Sequence, residues 1–346
     1  MTLLRRRTAL GLLAAATVSR SGRAEPRVLD DSVGRRVSVP DRATRVLAAG
    51  PPAAVLLYAL APEAMVGWVA PPSDAAKPFL LPAVRALPAS GRLTGRGDTV
   101  DFDTVLAQKP DLILDFGAVS EPYVTLAERV QARTGVPYAL IDGRLEATAS
   151  TLDLAGDLLG RRERADALAA YASETFALVD GVLARVPAGR RPRVYLARGP
   201  QGLQTAVRGS GYTEVLERAG AINVADGPAG RGGALDASVE KIAAWDPDVI
   251  VALDPSFHAA ARSKPEWQRL RAVSANRLYL APSLPWGWLG EPSSVNRLIG
   301  LRWSLALLYP AESKLDLRVE ARAFHRLFYG VAPGDADLSR LLAGAI

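Results

Sequence analysis

The sequence predicts an α/β protein of two related lobes with mainly parallel sheets, joined by one long α-helix. Three observations carry that reading. Short apolar runs alternate with helical stretches along the chain, the pattern of parallel sheets covered by helices. One helix-to-strand unit occurs twice, at residues 101–114 and 238–251, displaced by 137 residues. Between the two copies, residues 161–186 contain no proline and a single glycine near the end, Gly181.

In chain order, residues 28–30 and 37–39 alternate around Gly34 and read as a β-hairpin ending at Pro40. Residues 45–49 read as a buried strand, followed by Gly50-Pro51-Pro52 and an apolar helix through Leu60. Further strands are expected at 65–69, 112–115 and 138–141, and a second set at 194–197, 249–253 and 278–280. Both repeat copies open on an N-cap residue, Asp101 or Ser238. Each places an acid two positions later, Asp103 or Glu240, where the helix dipole favours it. Both end at a proline, Pro110 or Pro247, which stops the helix and launches a strand.

Leu168, Tyr171, Thr175, Leu178, Val179 and Val182 fall at helical spacing, with Arg and Glu on the other side. They predict one helix of about 35 Å, at 1.5 Å per residue. The expected division is a leader at 1–24, an N-terminal lobe at 25–160, a linker helix at 161–190 and a C-terminal lobe at 191–346. A long helix is a stiff connector, so the lobes are expected to move modestly.

The 346 residues hold 42 Lys+Arg against 36 Asp+Glu, a net charge of +6. Arg5, Arg6, Arg7, Arg20 and Arg23 lie in the first 24 residues, which contain no acid. The remainder is close to neutral, so the basic character does not describe a nucleic-acid-binding face. Zero cysteines exclude disulfides, thiol catalysis, Fe–S clusters and Cys-ligated zinc. His258 and His325 are far apart in sequence, which argues against a metal site built from histidines. Arg5-Arg6-Arg7, the apolar run 9–18 and Gly22-Arg23-Ala24 have the form of an export leader, by the twin-arginine or the general route. That run falls short of the roughly 20 residues needed to span a bilayer. The mature chain, from Glu25, is expected to be a soluble periplasmic monomer.

The stretch Asp31-Ser32-Val33-Gly34-Arg35-Arg36-Val37-Ser38-Val39-Pro40 with Arg45-Val46, and both Pro-Asp-[Leu/Val]-Ile units, resemble the substrate-binding protein of an ABC importer. So do Gly220-Ala221-Ile222-Asn223-Val224-Ala225, the run from Asn296 through Trp303 and the run from Phe324 through Gly330. The resemblance spans nearly the whole mature chain. It is to the class whose two Rossmann-like lobes are linked by a single helix and which serves iron–siderophores, haem, cobalamin and some oxyanions. It implies a ligand cleft between the lobes, at the carboxyl ends of the strands, in line with the general rule for open α/β sheets.

Loops at such positions supply Pro51, Trp68, Arg92 and Phe116 from the first lobe, and Arg198, Arg231, Asp254, Trp286 and Trp288 from the second. Gly230–Gly233 reads either as a flexible turn or as a setting in which Arg231 can bring a guanidinium and free backbone N–H groups onto an anion. Arg92 and Arg198 read equally as surface arginines. Trp286 and Trp288 point to opposite faces if extended, one to the core and one to the cleft. Tyr212 reads as packing, His258 as solvated, and Gly209-Ser210-Gly211 as the start of a helix.

The resemblance implies a non-enzymatic receptor without a cofactor, delivering a small-molecule ligand to an ABC permease dimer in the inner membrane. A metal chelate is favoured, because bare metal would need His/Asp/Glu clusters that are not evident. Arginines and tryptophans suit a ferric siderophore; cobalamin, haem and a molybdate-type oxyanion are the alternatives. A two-lobed metal-tetrapyrrole chelatase-like enzyme is the reading of a different class. It would need a base, a metal ligand or cluster cysteines in the cleft, and an intracellular address. In the family, an acid on each lobe contacts arginines of the permease; Asp103 and Glu240 match those places, with Asp replacing the usual Glu in the first.

Overall fold

The computed structural model describes residues 26–94 and 101–346. The expected leader, and the side chain of Arg231, lie outside the described residues. β1 (Arg27–Asp30) and β2 (Arg36–Val39) pair antiparallel with Arg27 opposite Val39. Asp31 shapes the turn between them: its carboxylate accepts from the Val33 and Arg35 amides and pairs with the Arg35 guanidinium at 3.2 Å.

β3 (Val46–Ala48) leads into α1 (Pro51–Leu60), where prolines in the first turn forfeit no helical hydrogen bond. From Ala53 to Leu60, α1 is buried throughout. α2 (Phe102–Ala107), β4 (Leu112–Gly117), α3 (Glu121–Thr134) and β5 (Tyr138–Asp142) follow. The three strands form a parallel sheet in the order β3-β4-β5. Residues 65–69, expected as a strand, make only two isolated bridges, Met65 with Val46 and Trp68 with Ala89. The segment divides its pairing between β3 and the 88–90 loop, so no continuous ladder forms. Gly67 allows the close approach: a Cβ there would lie 2.2 Å from Ser90 Oγ.

α4 (Thr148–Leu159) and α5 (Arg162–Leu183) pack antiparallel across the left-handed Gly160. Gly156 sits against Ala165 so closely that a Cβ would come within 2.2 Å of the alanine methyl. α5 has 22 residues, about 33 Å of helix. Leu168, Tyr171, Thr175, Val179 and Val182 are buried along it, the face that the spacing predicts.

The chain then enters β6 (Arg193–Ala197), β7 (Gln204–Ala206), α6 (Glu214–Arg218), β8 (Ile222–Asn223), β9 (Ala234–Asp236), α7 (Val239–Trp245) and β10 (Val249–Ala252). α8 (Pro255–Ala261), α9 (Pro265–Gln268) and α10 (Arg271–Ser274) precede β11 (Leu278–Leu280). The second parallel sheet runs β11-β10-β6-β8. β7 and β9 form a separate antiparallel pair that the sequence does not announce, because three residues are too few to show a period.

The repeat is reproduced in three dimensions. Asp111, before β4, accepts from the Arg45 amide at the foot of β3, and Asp248, before β10, accepts from the Arg193 amide at the foot of β6. Arg45 Nη2 donates to Gln108 O at 2.6 Å and Arg193 Nη2 to Trp245 O at 2.7 Å, positions that correspond in the two units. Lys109 and Asp246, also equivalent, adopt φ of 46° and 43° just before their prolines. Both units thus end on a left-handed residue, and both latch the helix end to the preceding strand.

α11 (Arg297–Leu308), α12 (Pro310–Ser313), α13 (Leu317–Tyr329) and α14 (Asp335–Leu341) close the chain. α11 is apolar nearly all round and packs on α5, α6 and α13. α13 returns to the first half: the Tyr58 hydroxyl donates to Tyr329 O at 2.7 Å, and Arg164 Nη2 donates to Leu327 O.

Two buried titratable groups set opposing pH dependences. In β4, burial raises Asp115 to about 6, although the Tyr138 hydroxyl donates to its carboxylate at 2.9 Å. In α13, burial pulls His325 down to about 4, with Nδ1 2.7 Å from Ala321 O. The folded state holds the Asp115 proton more tightly than the unfolded chain does, so this stabilisation is lost as pH rises from about 4 to about 6. His325 works in the opposite direction over nearly the same window, because the unfolded chain takes up its proton first. Asp115→Asn isolates one of them: the variant should be more stable than wild type at pH 7.5, by up to about 3 kcal/mol. Urea unfolding at both pH values should show the difference shrinking towards zero at pH 4.

Candidate functional site

Residues that follow the strands of the two parallel sheets line three cavities. At one side lies a pocket of about 240 Å³, lined by Pro51, Ala54 and Trp68 and by the 69–73 turn from the first half. Pro285, Trp286 and Pro292 line it from the second half. Its base is an aromatic cluster: Trp286 meets Tyr58, Trp68 and Tyr329 with ring centroids 5.4, 6.0 and 5.0 Å away. Trp68 is locked by its Nε1, which donates to Val84 O at 2.7 Å. Burial pushes Tyr58 up to about 12, so it stays a neutral hydroxyl that donates to Tyr329 O and accepts from the Leu81 amide.

The loop carrying Trp286 is anchored by its neighbour. Trp288 is fully buried, and its amide donates to Pro282 O at 3.0 Å. Gly300 of α11 packs so close that a Cβ would lie 1.9 Å from Trp288 O. The segment is a bend leading into a turn at 287–290 rather than an extended strand, and it puts Trp288 in the core and leaves Trp286 partly buried on the pocket.

At the other side is a cavity of about 600 Å³. Its walls include Gly117, Ala118, Gly143 and Arg144 from the first half, and Ser210, Gly211, Glu214, Arg218 and Arg297 from the second. A charged latch crosses the seam here. Arg297, only 2% exposed, donates to Glu214 Oε2 at 2.7 Å, to Gly143 O at 2.6 Å and to Ser294 O at 3.1 Å. Burial lowers its pKa, and Glu214 opposes that. Glu214 also accepts from the Leu145 amide at 3.1 Å. One helical turn on, Arg218 pairs with Glu146 at 2.6 Å and with Asp180 of α5 at 2.7 Å.

Arg198 lies at the end of β6, its guanidinium 3.7 Å over the Tyr212 ring and 3.6 Å from Glu291. A cavity of about 610 Å³ opens behind it, between the 198–204 turn and residues 236–238. No group of three or more His, Asp or Glu among the described residues is placed to hold a metal ion. Nor is any helix among them long and apolar enough to cross a membrane.

The structure brings Pro51, Trp68 and Trp286 onto one pocket and puts Arg198 on a separate cavity, where it faces Glu291, the chain neighbour of the pocket residue Pro292. Other expected residues sit elsewhere. Phe116, 3% exposed, belongs to the core, as does Trp288. Asp254 spends its carboxylate capping α8, accepting from the Ser256 and Phe257 amides at 2.8 and 3.2 Å. Arg92 is exposed beyond the 88–90 loop. Asp103 and Glu240 are exposed at matching positions, two residues past the N-caps of α2 and α7. The Ser238 hydroxyl holds the Glu240 carboxyl below its usual range.

Sequence reasoning missed Glu214, Glu291 and Arg297, and it read Tyr212 as mere packing, whereas Tyr212 carries Arg198. Arg297 left a signal: it stands beside the apolar stretch Leu298-Ile299-Gly300-Leu301, where a buried charge requires a partner. Glu291, between Gly290 and Pro292, left none. His258 is half-buried against Gly344 rather than free in solvent.

A family model described as periplasmic binding protein matches residues 56–284. No curated protein matches the chain. An ABC transporter solute binding protein from Sulfurospirillum deleyianum DSM 6946 has a similar structure, with TM-score 0.82 and 27% identity over 91% of this chain and 98% of that one. A periplasmic solute binding protein from Veillonella parvula DSM 2008 has TM-score 0.76 and 23% identity over 91% and 96%. The Haemophilus influenzae molybdate periplasmic binding protein MolA, bound to molybdate, has TM-score 0.70 and 22% identity over 89% and 99%. These last two likenesses concern the fold.

The latch generates a stability prediction. Arg297→Met removes one partner of a largely buried pair and strips Gly143 O of its donor, so it should cost about 3 kcal/mol. Pairing it with Glu214→Met should recover part of that loss. Denaturant unfolding of the single and double variants measures the coupling, and hydrogen exchange at the Leu145 amide should accelerate in both.

Proposed function

The chain belongs to the periplasmic binding protein family, the solute-binding component of ABC transport, and from that premise we propose that its ligand is a ferric siderophore. The family is transport-associated and is not a family of enzymes. The observations that support the proposal are a tryptophan- and proline-walled pocket and, on a separate cavity, the Arg198 guanidinium, which faces Glu291 next to the pocket residue Pro292. An aryl-bearing metal chelate with anionic groups presents the complementary surfaces. Ring faces stack on indoles, and anionic oxygens accept from the arginine fork.

The proposal extends to the cell biology and the partner. Residues 1–24 act as an export leader and the mature chain works in the periplasm as a monomer. Residues 25–160 and 191–346 form the two lobes, with 161–190 as the connector. Asp103 and Glu240 dock on arginines of a permease dimer. Two equivalent, exposed acids on the repeated helices support this, since a pseudo-symmetric pair of like charges suits a two-fold symmetric partner.

Native mass spectrometry of protein recovered from its own periplasm tests the ligand. An added mass matching an iron chelate is expected; a corrin, haem or an oxyanion would replace the siderophore assignment. For docking, Asp103→Ala with Glu240→Ala should abolish stimulation of the permease ATPase while ligand affinity stays intact. Normal stimulation by the double variant removes both acids from the interface.

A further inference from the structure

We propose that Glu291 is a tethered competitor for the ligand's anionic group, facing Arg198 and setting how strong an anion must be to displace it. The inference rests on the proposed ligand-binding cleft and deepens it. Arg198 is pre-positioned: its amide donates to Gln204 O at 2.7 Å at the end of β6. Its guanidinium is spread over the Tyr212 ring at 3.7 Å, a cation–π contact that uses the face and leaves the in-plane N–H edge for an acceptor. That edge is poorly satisfied. Arg198 Nε is buried without a hydrogen-bond partner, and the nearest carboxylate, Glu291, stands 3.6 Å from Nη2. This exceeds the 2.7–3.2 Å of a formed hydrogen bond.

The backbone explains why Glu291 is held at that distance. Its carbonyl accepts from the Gly287 amide at 2.9 Å, and Asn296 Nδ2 donates to the next carbonyl, Pro292 O, at 3.0 Å. Trp288 in the same loop is fully buried, and its amide donates to Pro282 O at 3.0 Å. The Glu291 side chain is 54% exposed against 19% for Arg198, so the acid leans in from solvent towards a mostly buried cation. A free carboxylate, catecholate or oxyanion has no such tether. It can bring two oxygens into the guanidinium fork, the arrangement that Glu291 does not reach. Glu291 then swings to solvent at small cost, because a half-exposed pair is weak.

Glu291→Gln and Arg198→Gln, with Tyr212→Leu to remove the platform, test this by tryptophan fluorescence. The probes are molybdate, an anionic iron(III) tris-catecholate and a neutral iron(III) tris-acetohydroxamate. Expected results are about two- to five-fold tighter binding of an anionic probe to Glu291→Gln, the gain in affinity when a weak exposed pair is removed, with the neutral chelate unchanged. Arg198→Gln should lose anion binding and Tyr212→Leu should weaken it. Unchanged or weaker anion binding by Glu291→Gln, an equal gain for the neutral chelate, or no anion binding by either wild type or Glu291→Gln overturns the proposal. The siderophore reading is judged separately, by the mass of the co-purified ligand.

Discussion

A single buried guanidinium holds the seam between the two sheets. Arg297 stands at the head of α11, in the second half of the chain, yet one of its donors satisfies Gly143 O at the end of β5. A charge that is 2% exposed is tolerated only with partners on every side, and Glu214, Gly143 and Ser294 provide them. Two of those partners lie in the second half and one in the first, so the charge can be satisfied only when both are in register. Glu214 extends the constraint through the Leu145 amide, and Arg218 extends it to α5. Separating the strand ends on this side would expose unpaired buried groups.

The consequence for the cleft is asymmetry. On the latch side the halves are joined by charge, a glycine-walled cavity and the connector helix. On the opposite side they meet through rings: Trp286 against Tyr58 and Trp68. These contacts are tilted and edge-to-face, the arrangements that aromatic pairs favour. α13 adds to the constraint by returning under α1 through Tyr58 and Tyr329. The seam is thus held by a buried charge network at one place and by packed rings with a buried hydroxyl at the other.

Within the site, what could be foreseen depended on how local its cause was. Pro51 could be placed because Gly50-Pro51-Pro52 is a strand-to-helix turn by its own chemistry. The opposed fates of Trp286 and Trp288 were foreseen on the premise of an extended segment, whereas the structure has a bend and turn there, and which one faced the core could not be foreseen. That was decided by Gly300, far along the chain, which receives Trp288 O. Asp254 looked like a candidate for contact and proved to be a cap, since the Ser256 and Phe257 amides of its own helix claim it first. Glu291 and Tyr212 gained meaning only through Arg198, which lies more than ten residues from either.

By itself, the sequence determined the alternation of strands and helices, the repeated helix-to-strand unit and the long apolar face of α5. Each of these is written in neighbouring residues: a cap, an acid in the first turn, a proline, a period of 3.6. The accepting positions at the helix ends, Gln108 and Trp245, correspond in the repeat, but the arginines that latch them, Arg45 and Arg193, lie outside it and were found only in the structure. Only the tertiary structure decided the split pairing of residues 65–69, the β7–β9 pair, the partners of Arg297 and the place of Glu291 beside Arg198. Those contacts join residues far apart in the chain, and their energies depend on burial and direction, which no local pattern encodes.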